Sequence, residues 1–286
     1  MARKYLSSLD ASSGKGRSDE NFPVASWLIA KDKRPLVMCY YRFARFSDDI
    51  ADNPSLDENE KLRRLKRLDD ALLGRDTHPD CQCALDVAAL MDKHGIDIAH
   101  ARDLLKAFSQ DATKKRYANW EELEDYCMHS ASPVGRFLLS LHGEDKALFA
   151  LSDPLCNALQ ILNHLQDCAK DYRTLDRVYM PQDVCKRYDA KVETLASRTS
   201  DVAWRRVFHS ILDKAEPWIN QSESLSSKVS SKRLAMEVAT IFHIAQALSR
   251  ALRKYHPLYR RVRLHTPTYI ACFRKGIRDT LFFSKR

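Results

Sequence analysis

The sequence predicts an all-α protein, and three observations carry that prediction. Glycine occurs 7 times in 286 residues, where average usage gives roughly 20. Because glycine is costly inside helices and common in turns, so few argue for long helices joined by few tight turns. Strand signals are scarce, with no Asn-Gly or Asp-Gly pair between alternating apolar runs. From about residue 24 onward, apolar residues recur three and four apart, the spacing of one helix face.

Taken in order, residues 1–20 are polar, contain Gly14 and Gly16, and read as a loose arm. They hold no apolar run, so no secretory leader is expected there. A helix is expected over 26–52. The next is the clearest, in DENEKLRRLKRLDDALLG: Asp57 stands as N-cap with Glu60 in capping-box position. Leu62, Leu65, Leu68 and Leu72 form its stripe and Gly74 stops it. The same periodicity places helices near 82–93, 99–111, 120–143, 146–172, 201–225, 232–254 and 267–283. The most apolar stretch, AMEVATIFHIAQAL (235–248), contains Glu237 and His243 and is too short to span a bilayer, so it reads as a core helix. No repeat and no Pro/Gly/Ser-rich linker divides the chain, and residues 21–286 are expected to form one domain.

Composition narrows the function classes. With 44% apolar and 30% charged residues the chain is globular rather than disordered. The net charge of +9 favours an anionic partner: nucleic acid, lipid headgroups or a phosphorylated substrate. No nucleic-acid motif accompanies the charge, so a nucleic-acid partner is not expected. The cysteines at 39, 81, 83, 127, 156, 168, 185 and 272 include no CxxC pair. They lack zinc spacing and read as buried free thiols, which points to a reducing compartment.

Two acidic clusters carry the chemistry. In RFARFSDDIAD (42–52), Asp48 and Asp52 share a helix face, Arg45 lies one turn earlier, and Asp49 is about 100° away. In NALQILNHLQDCAKD, Asn163, Asp167 and Asp171 are spaced four and four, and Gln160 extends the ridge backwards. A single DxxxD is usually an ordinary surface pair. Here both sit in apolar surroundings, where buried acids need a partner or a metal. Carboxylate and amide oxygens suit Mg²⁺, whose shell is usually completed by water and substrate phosphates. Two such ridges facing across a helical bundle are expected to hold Mg²⁺ ions bridged by a diphosphate, with arginine taking the remaining oxygens.

These motifs, the DRVYMPQD that follows the second, and YCMHSASPVGRFLL (126–139) resemble the squalene/phytoene synthase family over about residues 20–265. ENFPVASWLI and SASPVGRFLLSLHG look most like the hydroxysqualene synthases of bacterial hopanoid pathways. The resemblance implies a single-domain isoprenoid (terpenoid) synthase helical bundle with a central cavity, Mg²⁺ as cofactor, and a prenyl diphosphate substrate. The implied reaction is loss of diphosphate from presqualene diphosphate and capture of the cation by water, giving hydroxysqualene. The alternatives are head-to-head coupling of farnesyl or geranylgeranyl diphosphate and, more remotely, a non-catalytic assembly factor. Position by position, Asp48, Asp52, Asn163, Asp167 and Asp171 match metal ligands. Arg45 matches a diphosphate contact, Gln160 precedes the second motif as in the family and is expected with Asn163 to bind substrate, and Tyr126, Arg177 and Tyr179 match positions that contact diphosphate or position the cation, Tyr126 and Tyr179 being candidates to orient the water. Phe22, Tyr41, Phe43 and Phe137 are candidate wall residues. One departure is that Asp19-Glu20-Asn21-Phe22-Pro23 replaces the serine-rich segment of coupling members. The resemblance further implies a bacterial cytoplasmic enzyme, free or peripheral at the inner membrane face, with channelling to sister enzymes of its pathway.

Three other features carry expectations. His164 is one residue off the ridge and reads as a structural hydrogen-bonder. His243 reads as a satisfied core histidine. Lys114, Lys115 and Arg116 form either a solvated run or a guard at the diphosphate entrance. The basic, amphipathic segment from Tyr259 to Arg286 reads equally as a peripheral membrane contact or as a packed terminal helix.

Overall fold

A computed structural model describes residues 28–197 and 202–283, with side chains as far as Leu281. The expected 1–20 arm and Phe22 lie outside these residues. Every described element is helical, apart from one isolated parallel bridge between Arg116 and Val178. The described residues form two compact units, one comprising 31–113 and the other 28–30 with 114–197 and 202–283.

The first unit contains α1 (Arg34–Ala51), α2 (Glu58–Leu72), α3 (Gln82–Lys93) and α4 (Ala99–Thr113). Helix α1 starts later than the expected residue 26, at a turn over 31–33 followed by Pro35. Proline fits the first helical turn because its missing N–H has no acceptor there. At α2 the Asp57 side chain accepts the Glu60 N–H at 2.8 Å, as the sequence predicts. Glu60, however, does not reach back to complete the box. It takes Arg63 and Arg64 at 2.7 Å each. Gly74 ends the turn after α2 at φ +71°, a conformation that costs glycine nothing. Helix α1 packs on α2, α3 and α4, burying Phe43, Ile50, Leu65, Leu68, Val87 and Met91. The Tyr40 hydroxyl, itself buried, donates to the His100 carbonyl at 2.8 Å, so a polar tip enters the core without remaining unsatisfied.

The second unit contains α5 (Trp120–Ser130), α6 (Ser132–Leu141), α7 (Phe149–Leu175), α8 (Gln182–Arg187), α9 (Val202–Gln221), α10 (Leu225–Lys228), α11 (Lys232–Lys254) and α12 (Thr266–Phe283). The single helix expected over 120–143 is two helices, broken at Ala131. Pro133 is the cause: it removes an N–H and its ring displaces the preceding turn, which is tolerated only where a new helix begins. Helix α7 is the hub, packing on α5, α6, α9 and α11. Its contact with α6 is close because Gly135 has no side chain. A Cβ there would lie 2.4 Å from Ser152 Oγ and 2.6 Å from Cys156 Sγ. Arg136 adds a bidentate bond to Asp153 across the same seam. All eight cysteines are free, as their spacing predicts.

Candidate active site

In the first unit, Tyr41, Arg45, Asp48 and Asp52 follow one another at intervals of four, three and four, so they form one stripe along α1. Arg45 binds Asp48 at 2.9 Å and Asp49 at 2.6 Å. Asp49, about 100° off the stripe by spacing, therefore shares the arginine. Asp52 is the C-cap, and its N–H bonds the Asp48 carbonyl. Three carboxylates thus crowd the C-terminal pole of a helix whose last turn has no basic residue. The free carbonyls make that pole negative, and a cation is the natural complement. Tyr41 is half-buried, whereas Phe43 is fully buried and serves as core.

In the second unit, Gln160, Asn163, Asp167 and Asp171 run along one side of α7 and are partly exposed, while His164, Leu165, Gln166 and Cys168 between them are buried. The ridge therefore opens outward from a packed helix, as the four-residue spacing predicts. Asp167 is held by a residue the sequence reading did not select. Arg261 Nη2 donates to one carboxylate oxygen at 2.8 Å, and its Nε lies 2.5 Å from the other. Next to it, the Gln166 amide donates to the Val262 carbonyl, strapping the 261–262 segment onto α7.

Beside the ridge stands an aromatic cluster. After α7 the chain reverses at Asp176 (φ 51°) and runs along residues 115–118, with Val178 N–H on the Lys115 carbonyl at 2.9 Å and Gln182 N–H on the Tyr117 carbonyl at 2.9 Å. This pairing brings Tyr117 and Tyr179 together, their rings stacked at 5.5 Å. Tyr126, from α5, meets both at 5.5 and 5.3 Å. Buried Arg177 donates from Nη1 to the Tyr179 hydroxyl at 3.1 Å, and the Tyr126 and Tyr179 hydroxyls lie 3.5 Å apart. Tyr126, Arg177 and Tyr179, expected from the family resemblance, are brought together here. Tyr117, which lies in no acidic motif, joins them without a signal in the sequence.

His164 also joins this cluster. Its ring stacks on Tyr179 at 3.5 Å between centroids and 18° between planes. Burial, then the charge of Arg177, pushes its pKa down to about 3, so the imidazole is neutral. The structural hydrogen bond expected of it is absent at Nε2, which is buried and meets no hydrogen-bonding partner. Leaving such a nitrogen unsatisfied costs about 1–3 kcal/mol.

The remaining candidates separate cleanly. Phe137 is fully buried and serves the core. Lys114 pairs with Glu122 at 2.8 Å and Arg116 with Asp176 at 2.6 Å, so both are tied to nearby acids rather than left as a loose charged run. His243 binds Asp279 at 2.7 Å, the satisfied histidine the sequence predicts. No described helix is long and apolar enough to cross a membrane. Among the described residues no three His, Cys, Asp or Glu side chains group closely enough to cage a metal. Each ridge instead offers two carboxylates, with an amide oxygen on α7. That donor set fits Mg²⁺, which takes one or two carboxylates and leaves its other positions to water and phosphate.

The helical architecture, with its aspartate-bearing α7, is that of the all-α isoprenoid synthases. The solved structure of squalene synthase HpnC from Alicyclobacillus acidocaldarius matches at a TM-score of 0.71 and 29% identity, over 83% of this chain and 90% of that one. A dehydrosqualene synthase crystallised with a ligand shares the fold at a TM-score of 0.76 and 22% identity, over 90% of each chain. The squalene/phytoene synthase family model matches residues 15–269, and the chain belongs to that family. Hydroxysqualene synthase of Rhodopseudomonas palustris is 44% identical over 253 residues, 88% of this chain and 86% of the relative. That of Zymomonas mobilis is 41% identical over 253 residues, 87% of this chain and 84% of the relative.

Proposed function

We propose that this chain converts presqualene diphosphate and water to hydroxysqualene and diphosphate, with Mg²⁺ as cofactor. The observation that carries the reading is that α7 bears an oxygen-rich ridge (Asn163, Asp167, Asp171) and, through buried His164 stacked on Tyr179, also meets the wall formed by Tyr117, Tyr126 and Tyr179. One part suits a metal–diphosphate headgroup and the other suits a hydrocarbon cation. Identity of 41–44% to proteins named hydroxysqualene synthase supports the same reading.

The roles follow from chemistry. Asn163, Asp167 and Asp171 on α7, and Asp48 and Asp52 on α1, are the proposed metal ligands. Mg²⁺, when bound, supplies positive charge that makes diphosphate a competent leaving group. Arg45, Arg177 and Gln160 are the proposed substrate contacts at the diphosphate end, because charge that builds on the leaving oxygens is best met by donors already fixed in position. The tyrosine faces shield the cation and stabilise it by ~0.5–2 kcal/mol each. Tyr41 and Phe22 complete the proposed hydrocarbon contacts.

The test is to supply the purified protein and Mg²⁺ with presqualene diphosphate or farnesyl diphosphate separately and identify the products by mass spectrometry. The expected result is hydroxysqualene from presqualene diphosphate and no coupling of farnesyl diphosphate. A cyclopropyl or coupled product from farnesyl diphosphate, with presqualene diphosphate untouched, would instead make the chain a head-to-head prenyltransferase.

A further inference from the structure

Basic charge is unevenly spread along this chain. Residues 250–281 hold nine Lys and Arg side chains against one acid, Asp279, a net +8 where the whole chain carries +9. Three of the nine are engaged with acids: Arg253 with Asp213 and Glu216, Arg261 with Asp167, and Arg278 with Asp279. Arg250, Lys254, Arg260, Arg263, Arg274 and Lys275 are exposed and form no ion pair among the described residues. Exposed apolar groups gather in the same stretch. Among the described residues five large apolar or aromatic side chains are exposed, and four of them, Tyr255, Tyr259, Ile270 and Leu281, lie here at 43–68% exposure. Scattered singly such residues mean little, but four of them among exposed cations mark a surface that meets a partner.

Helix α12 brings the two kinds of group onto one surface. Cys272 and Gly276 face α11, where Cys272 packs with Ile244 and Ala247 and Gly276 closes on Thr240. Ile270, Arg274, Arg278 and Leu281 follow one another at intervals of four, four and three, so they form the opposite, exposed stripe, with Lys275 at its margin. Packing on α11 therefore accounts for one face of the helix and leaves the other, apolar at both ends and basic between, uncovered. The chain leading into α12 repeats the pattern, with Lys254 and Arg260 5.3 and 5.7 Å from the centre of the Tyr255 ring. We infer that this surface docks the protein on a bilayer face that carries anionic phospholipid headgroups. Its cations meet lipid phosphates, Tyr255 and Tyr259 sit at headgroup level, and Ile270 and Leu281 enter the acyl boundary. A nucleic acid would engage the cations alone and leave Ile270 and Leu281 without a role. The inference requires neither the reaction nor the metal proposed above. It bears on both, because Tyr259 and Arg260 run directly into Arg261, which holds Asp167, so docking brings the α7 ridge close to the lipid.

The experiment is flotation of the purified full chain with vesicles of phosphatidylcholine alone or of phosphatidylcholine with about one third phosphatidylglycerol. Three double variants accompany the wild type. Arg274→Glu with Lys275→Glu reverses charge on the patch, and Ile270→Ser with Leu281→Ser removes its apolar ends. Lys93→Glu with Lys186→Glu makes the same change in net charge at two exposed lysines elsewhere. The wild type is expected to float with the anionic vesicles and not with the neutral ones. Partitioning is expected to fall at least about 10-fold in the charge variant and about 5-fold in the apolar variant, and to stay within about 2-fold in the distant control. A wild type that does not float with anionic vesicles overturns the inference. So does an equal fall in the distant control, which would show attraction to net charge alone, or an apolar variant that binds like the wild type. Retention of a single-stranded oligonucleotide without flotation would assign the surface to nucleic acid instead. Should circular dichroism show a patch variant unfolded, Arg274→Gln with Lys275→Gln, or Ile270→Ala with Leu281→Ala, is read in its place by the same criteria.

Discussion

Asp167→Asn is expected to lower turnover of the prenyl diphosphate by about 10²–10³-fold, comparable to removing one preorganised group that meets developing charge. The substitution keeps the volume and one oxygen but removes the negative charge that a divalent ion requires. It also removes the charge that Arg261 pairs with, since the Arg261 Nη2 donates to this carboxylate and its Nε lies against it. The pair is partly exposed, so its own loss costs stability only about 1 kcal/mol. A fall of that size in rate with a small change in melting temperature would therefore report chemistry rather than folding. Arg261→Ala is expected to cost less, about 10-fold, because it leaves the carboxylate free to take metal. If Asp167→Asn stays within a few-fold of the wild type, Asp167 is simply the structural partner of Arg261.

Gly276→Val carries the largest expected effect on stability. Helix α12 lies so close to α11 that a Cβ at Gly276 would sit 2.5 Å from Thr240 Oγ1, 2.7 Å from Thr240 N and 3.0 Å from Thr240 Cα. Two of those atoms are backbone in the middle of α11 and cannot rotate away. The helices must separate, and overpacking of this kind costs about 1–3 kcal/mol. Thermal melting is expected to move down by about 3–8 °C. The change also reaches the site, because the chain entering α12 carries Arg261 and Val262, both bonded to α7. An increase in amide exchange over 255–265 is expected alongside. An unaltered melting curve would show that α12 contributes no cooperative packing to its unit.

Most of the helices were legible because each solves a local problem with a local signal. The Asp57 cap, the leucine stripe of α2 and the stop at Gly74 are all written within one segment. So is the ridge of α7, where a four-residue interval forces Asn163, Asp167 and Asp171 onto one side. What stayed hidden depends on groups that meet only after folding. Arg261 reaches Asp167 across 94 residues, and nothing periodic in YRRVRL distinguishes it from its basic neighbours. His164 was read as a hydrogen-bonding histidine because its place off the ridge was visible. Its stacking on Tyr179 depends on the turn at Asp176 and the pairing of 178 with 115. Asp49 was set aside by helical angle alone, yet an arginine is long enough to reach both Asp48 and Asp49. The break at Ala131 had a visible signal in Pro133, and the helical periodicity on either side of it outweighed that signal.

The claim on which all of this depends is that the acid ridges, Asp48 with Asp52 on α1 and Asn163, Asp167 and Asp171 on α7, each bind divalent metal that in turn binds diphosphate. It is tested most directly by titrating Mn²⁺ into the protein, with and without inorganic diphosphate, and reading bound metal by electron paramagnetic resonance. The account predicts Mn²⁺ binding that diphosphate tightens, weakened at least about 10-fold by Asp52→Asn and by Asp167→Asn separately. Binding that neither substitution disturbs, or that diphosphate does not strengthen, would contradict it.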